Sequence, residues 1–199
     1  MPRCAEATTL VGLNGKVEDL RMNVIELIDK YYPEDNALKR LLLKHSRDVA
    51  NKALEIVRRH PELGADAQFV HDAAMLHDIG ICMTDAPGIH CHGTDPYILH
   101  GIDGGKMLRG EGYPDFARVC ERHTGTGITI EQIRSRNLPM PEADYSPETI
   151  EEQIVCYADK FFSKSHPDRV RTVAQTAKSL EKFGEESLHR FNKWAAMFE

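Results

Sequence analysis

No stretch of the 199 residues approaches the ~20 consecutive apolar positions that crossing a bilayer as a helix requires. A charged-then-apolar N-terminus, the mark of a secretory signal, is also missing. The five cysteines, Cys4, Cys82, Cys91, Cys120 and Cys156, form no CxxC pair and are odd in number, which argues against a zinc knuckle and against a bridged secreted fold. A reducing cytoplasm is the expected compartment. There is no basic stripe: 25 Lys and Arg stand against 31 Asp and Glu, a formal charge of −6, so a nucleic-acid polymer is not an expected partner. The same balance repels anions, so any phosphate chemistry needs locally concentrated positive charge, which bound metal ions supply. Internal repeats, low-complexity blocks and a Gly-x-Ser-x-Gly nucleophile turn are absent too.

Strand-like alternation is lacking throughout, and what replaces it is helical period, so the expected fold class is all-α. Val24, Leu27, Ile28 and Tyr31 fill one stripe, which stops at Pro33. Leu38, Leu41, Leu42, His45, Val49, Ala53 and Ile56 fill a longer one, which ends before Pro61. A third helix is expected from about Asp66, with Val70, Ala73, Ala74 and His77 on one face and Gly80 as its C-terminal cap. Residues 81–99 read as loop. A fourth helix starts near His100, and a fifth follows Pro114 with Phe116, Val119, Cys120 and His123 in register. From Thr124 to Pro147 only a short helix around Ile130–Arg134 is expected. Pro147 opens a sixth helix carrying Val155, Asp159 and Phe162. Val170, Val173, Ala174, Ala177 and Leu180 mark a seventh, and Leu188, Phe191, Trp194, Ala195 and Phe198 an eighth. Residues 1–21 are weakly periodic and read as a leader with no assigned function.

In four of these helices a histidine takes the next position of an apolar stripe, and in the sixth Asp159 does the same. A single buried imidazole is ordinarily a hydrogen-bonded core residue. A carboxylate on a buried face is harder to accommodate, because it is costly unless a cation compensates it. A shared metal ion removes that cost, since imidazoles donate lone pairs and carboxylates add charge and bridging oxygens. His77-Asp78 is informative because helix neighbours diverge by ~100°, so both reach one ion only near a helix end. A competing pair, His71-Asp72, lies two turns earlier with no helix stop after it and reads as a solvated polar turn. The group His90, Cys91, His92 and Asp95 offers a further ligand set or a lid, but reads first as surface loop.

Across residues 36–165, the ordered set His45, His77-Asp78-Ile79-Gly80 and Asp159 resembles the HD superfamily of metal-dependent phosphohydrolases in its HDIG variety. His100, in Leu99-His100-Gly101, and His123, in His123-Thr124-Gly125, match members with a two-metal centre, such as the HD-type diadenosine tetraphosphate hydrolases. The resemblance implies an HD-domain helical bundle, with residues 22–199 as one domain including C-terminal helices, and a metal centre in its core. It also implies that His45, His77, Asp78 and Asp159 hold one divalent ion, with Asp78 bridging to a second on His100 and His123. Iron, manganese, nickel, zinc and magnesium all suit these donors. The segment between His123 and Asp159, containing Leu138-Pro139-Met140-Pro141, is longer than in those hydrolases and is similar to a group of uncharacterised HDIG proteins.

The expected activity is metal-dependent hydrolysis of a phosphate ester or anhydride of a nucleotide or another small phosphorylated molecule, the ions acidifying water and neutralising charge. Asp78 is the expected catalytic bridge, and Lys160 and Arg122, each beside an expected ligand, are candidates for phosphate contacts. Two other readings stand beside it. One is a di-iron oxygenase of the same fold, and the other a non-catalytic module that senses a nucleotide. No membrane partner is expected, and a homodimer is left open.

Overall fold

Short polar side chains start the first three helices. Asn23 accepts from the backbone N–H groups of Ile25 and Glu26 ahead of α1 (Val24–Tyr31), Asn36 from Lys39 ahead of α2 (Ala37–Arg59), and Asp66 from Gln68 and Phe69 ahead of α3 (Ala67–Leu76). This is a computed structural model that describes residues 23–199; the expected leader, residues 1–21, lies outside the described residues. The remaining helices are α4 (His100–Gly110), α5 (Pro114–Arg122), α6 (Ile130–Ser135), α7 (Ile150–Asp159), α8 (Val173–Leu180) and α9 (Glu185–Phe198). The architecture is an all-α bundle. None of the described helices is long and apolar enough to cross a membrane.

Small residues on the facing sides of α2 (Ala50, Ala53) and α3 (Ala73, Ala74) are buried and let the two helices pack closely, with α7 laid against both. Around them Leu42, Val49, Val70, Leu76, Ile154 and Phe191 are fully covered, each stabilising by roughly 1.5–3 kcal/mol. Helix α9 closes the bundle: Phe191 and Phe198 pack on Tyr157 of α7, with ring centroids 5.1 and 5.3 Å away, and the Trp194 Nε1–H donates to Gln153 (3.1 Å). A second, smaller apolar cluster of Ile102, Ile128, Ile133, Met140 and Tyr145 lies under the 124–147 segment.

Four expectations are corrected. Helix α7 begins at Ile150 and not at Pro147, because Thr149 and Glu152 form a reciprocal capping box there. Val170 is outside α8 and 62% exposed, the helix starting instead at the capping box of Thr172 and Gln175. The stretch 81–99 holds a miniature sheet, β1 (Thr84–Ala86), β2 (Cys91–His92) and β3 (Asp95–Pro96), in the order β2-β1-β3. Strand β1 is antiparallel to β2 and parallel to β3. Strands of two or three residues are too short to leave an alternating signature.

The fourth correction positions the site. Gly80 is not a left-handed cap; α3 stops at His77 and the chain runs into a tight turn, Ile79–Met83. A Cβ on Gly80 would lie 2.2 Å from the carbonyl oxygen of His100 and 2.3 Å from the backbone nitrogen of Gly104. Glycine is required because two backbones touch there. Gly101 does the same between α4 and α5, where a Cβ would meet the Cys120 carbonyl oxygen at 2.4 Å.

Candidate metal centre

Five helix segments deliver one side chain each, or two, to a single buried point. His45 comes from the middle of α2, His77 and Asp78 from the end of α3, His100 from the first turn of α4, His123 from the end of α5, and Asp159 from the last position of α7. The glycine contacts just described bring α4 down on the α3 terminus and α5 onto α4, so that His100 and His123 meet Asp78.

The six residues form two sets that share Asp78. His45, His77, Asp78 and Asp159 make one, and Asp78, His100 and His123 the other; within each set one donor atom per residue lies within 4.8 Å of all the rest. His45 Nε2 is 3.1 Å from Asp78 Oδ2 and 3.0 Å from Asp159 Oδ1, and His77 Nε2 is 3.0 Å from Asp78 Oδ2. The other oxygen of Asp78 faces His123 Nε2 at 3.4 Å and His100 Nε2 at 3.5 Å. Asp78 therefore presents one oxygen to each set.

The rings are aimed by main-chain carbonyls three residues earlier in the chain. Nδ1 of His77, His100 and His123 lies 2.6, 2.7 and 2.7 Å from the carbonyl oxygens of Ala74, Tyr97 and Cys120. A carbonyl can only accept, so each Nδ1 carries the proton and each Nε2 turns a lone pair inward. As a result His100 and His123 face each other at 3.0 Å through their Nε2 atoms. Burial presses both toward the neutral form, His100 down to about 3, helped by His123. Two inward lone pairs at that distance call for a cation between or beside them.

Charge elsewhere in the cluster points the same way. Burial alone would raise the Asp78 carboxyl, but His77 and Lys164 hold it well below the usual carboxylate range. Asp159 is held low against burial by Lys160, His45 and His77. His77 is pulled down by burial, yet the two carboxylates outweigh that and lift it to about 9, so without a cation its Nε2 carries a second proton, which a bound metal ion would displace. Nε2 of His77 and both oxygens of Asp78 are fully buried and lack a well-formed hydrogen bond. Buried nitrogen and oxygen ligands, in two sets around one carboxylate, fit divalent metal ions.

The other expected residues divide. Lys160 reaches the cluster, its Nζ 2.7 Å from Asp159 Oδ2 and 2.8 Å from the His123 carbonyl oxygen. Arg122 is turned to the chain on either side of Pro147, donating to the Ser146 carbonyl and to Glu148 (2.8 Å). His71 pairs with its neighbour Asp72 (2.8 Å) and belongs to neither set. Of the group at 90–95, Cys91 is buried, His90 and His92 are not, and the sheet spreads them apart. Lys164 is the residue that sequence reasoning missed: its Nζ stands 2.6 Å from Asp78 Oδ2, raised in pKa by Asp78 against the pull of burial. Its position past the end of α7 carries no periodic signal.

Two cavities adjoin the cluster. One, about 320 Å³, is walled by His100, Tyr97 and the 124–138 segment and is mostly apolar. The other, about 250 Å³, includes Asp159 with three cations, Lys160, Arg171 and Lys182. Gly125 and Phe183 line both.

Sequence and structure comparisons give the family and the fold. The tRNA (cytidine(56)-2'-O)-methyltransferase of Picrophilus torridus is 34% identical over 182 residues, which are 88% of this chain and 48% of that protein. Its namesake from Thermoplasma volcanium is 33% identical over 185 residues, 90% of this chain and 48% of that protein. The chain thus spans about half the length of these curated relatives. Among solved structures, the HD domain of the L. monocytogenes phosphodiesterase PgpH in complex with cyclic-di-AMP superposes with a TM-score of 0.50 at 18% identity, covering 88% of this chain and 95% of that one, a likeness of fold. The HD domain model matches residues 42–163, more than half of the chain and the whole span from His45 to Asp159, and the chain belongs to that family.

Proposed function

We propose that this protein is a divalent-metal-dependent phosphohydrolase acting on a phosphate ester or anhydride of a nucleotide or another small phosphorylated molecule. The observation that carries the reading is the division of six buried donors into two sets around one carboxylate, Asp78. His45, His77, Asp78 and Asp159 would hold one ion, and Asp78, His100 and His123 a second. Bound there, such ions supply Lewis acidity and bring the pKa of water toward neutrality.

The chain's own residues set the rest. The i−3 carbonyls fix the tautomers of three imidazoles, so that their lone pairs point inward without reorganisation. Lys160 ties Asp159 to the His123 backbone and holds the carboxylate in register with His45. Lys160, Arg171 and Lys182 give the adjoining cavity the positive charge that a phosphate needs in a protein of net negative charge. The methyl transfer in the names of the two relatives belongs to proteins of which this chain spans about half, and it is not extended to this chain.

The test is a panel of nucleotides, sugar phosphates and inorganic polyphosphates, assayed with manganese, iron, nickel, zinc and magnesium in turn and paired with elemental analysis. Release of phosphate that stops with a chelator and returns with one of these metals is expected. Full activity in a preparation proven free of metal, or no turnover with any metal, would overturn the reading; an as-isolated iron pair that consumes oxygen would replace it.

A further inference from the structure

The two carboxylates of the His45, His77, Asp78 and Asp159 set each stand beside an ammonium, but the two pairs are built differently. Lys160 takes Oδ2 of Asp159 (2.7 Å), leaves Oδ1 of that residue to His45 (3.0 Å), and has a second anchor in the His123 carbonyl oxygen (2.8 Å). Lys164 stands 2.6 Å from Oδ2 of Asp78, the oxygen that also faces His45 at 3.1 Å and His77 at 3.0 Å. Asp78 has no oxygen to spare, because Oδ1 faces His100 and His123. We infer that Lys164 governs loading of this metal position: its ammonium and a divalent ion are alternative partners of Asp78 Oδ2, and an arriving ion drives the side chain out of the cluster. The inference rests on reading His45, His77, Asp78 and Asp159 as metal ligands.

An ammonium has three donors and no lone pair, so Lys164 cannot join the ligands. An ion on Asp78 Oδ2 lies ~2.0–2.2 Å from that oxygen, which brings it within about 5 Å of the Lys164 nitrogen, where little water screens one cation from the other. The Lys164 contact is short but is not a well-formed hydrogen bond, so charge and not a directed bond holds the lysine in place. A stronger charge can therefore replace it. The exit is built in: the Lys164 side chain also lines a cavity of about 350 Å³ with Ala86, Tyr97, Ser163 and Ser165. Its four-carbon stem is flexible enough to carry the ammonium there, and the Ser163 and Ser165 hydroxyls, 3.1 Å apart, can accept from it. Exchanging one cation for another also means that Asp78, a fully buried carboxylate, is never left bare.

The experiment has two arms. In the first, wild-type protein is acetylated with limiting acetic anhydride, in chelator and then with saturating manganese, and each lysine is followed by peptide mass spectrometry. Labelling of Lys164 is expected to rise at least about fivefold with the ion, as the population shifts to the displaced lysine. Lys160, which keeps its second anchor, and Lys106, whose side chain is 69% exposed throughout, should hold steady. In the second arm, manganese titrations by calorimetry compare wild type with Lys164→Met, which keeps the length of the side chain and removes its charge. The variant is expected to bind the ion at least about tenfold more tightly, because nothing has to be displaced, and to melt at a lower temperature in chelator, where Asp78 has lost its partner. A lysine that merely braced Asp78 would give the opposite sign, weaker binding in Lys164→Met. If that variant fails to fold, the labelling of wild type carries the test. Manganese binding with unchanged Lys164 labelling, or affinity in a folded Lys164→Met no higher than in wild type, overturns the exchange and leaves the metal centre. Displacement of Lys164 by the ion in a protein that turns over no phosphate leaves the exchange and overturns the hydrolase. No uptake of any of the five metals by either protein sinks both.

Discussion

Tyr97 and His100 are joined twice: their rings stack at 4.6 Å with an interplanar angle of 19°, and the His100 Nδ1–H donates to the Tyr97 carbonyl oxygen at 2.7 Å. The backbone bond survives any substitution of the ring, so the two supports can be separated. Tyr97→Ala is expected to weaken binding of a divalent ion by roughly tenfold, the lower end of what losing an outer-shell support costs. Tyr97→Phe keeps the stack and should bind as the wild type does. Manganese titrations read by calorimetry compare them, and equal affinity in all three proteins would show that the stack is idle.

Metal removal tests the facing imidazoles directly. At an ion concentration of about 100 times Kd, binding to the folded state adds roughly 2.7 kcal/mol, so the melting temperature should rise by about 5–10 °C when a chelated sample is reloaded. Asp78→Asn, nearly isosteric, should cancel that rise. Calorimetric scans in which none of the five metals shifts the transition would contradict the assignment.

His77→Ala and Asp78→Asn should each lower kcat/KM at least ~100-fold while far-UV circular dichroism stays close to wild type. His71→Ala should retain most activity, because that side chain pairs only with Asp72, outside both ligand sets. Equal loss in all three would mean that the wrong His-Asp pair was chosen.

Gly80→Ala should cost more than about 2 kcal/mol, since the added methyl meets backbone on two sides and neither can yield cheaply. Metal affinity should fall with it as Asp78 and His100 are pushed apart. Gly88→Ala is the control, with open space around the new carbon. Urea denaturation in chelator separates the stability loss from the metal loss.

Arg122 and Lys160 should behave differently. Arg122→Ala removes bonds to Ser146 and Glu148 and is expected to lower stability by about 1 kcal/mol, with KM near wild type. Lys160→Ala removes a cation from the 250 Å³ cavity and should raise KM several-fold. A large KM effect from Arg122→Ala, in a folded protein, would place Arg122 against the phosphate after all.

The stripes were readable because helices bury one face in a fixed period, which set His45, His77, His100 and His123 on buried faces, while the resemblance to the HD superfamily is what implied that they share two metal ions. Asp159 stood out through the cost of burying its charge. Lys164 did not, since it lies beyond the last periodic residue and meets Asp78 only once the chain has folded back. The reason for Gly80 was equally hidden: a contact between two backbones leaves glycine in the sequence without saying what it touches. The miniature sheet at 84–96 escaped for want of length, and the two late helix starts because capping boxes at Thr149 and Thr172 outrank nearby Pro147 and Val170.

Three of the imidazoles are steered by main-chain oxygens three residues earlier in the chain, bonds that no change of side chain removes. Residues in the surrounding walls can therefore change without turning those rings, so the centre is durable hardware to which different linings can be fitted. In that sense the wall formed by 124–138 is free to drift toward new molecules while the ring geometry beneath it stays put.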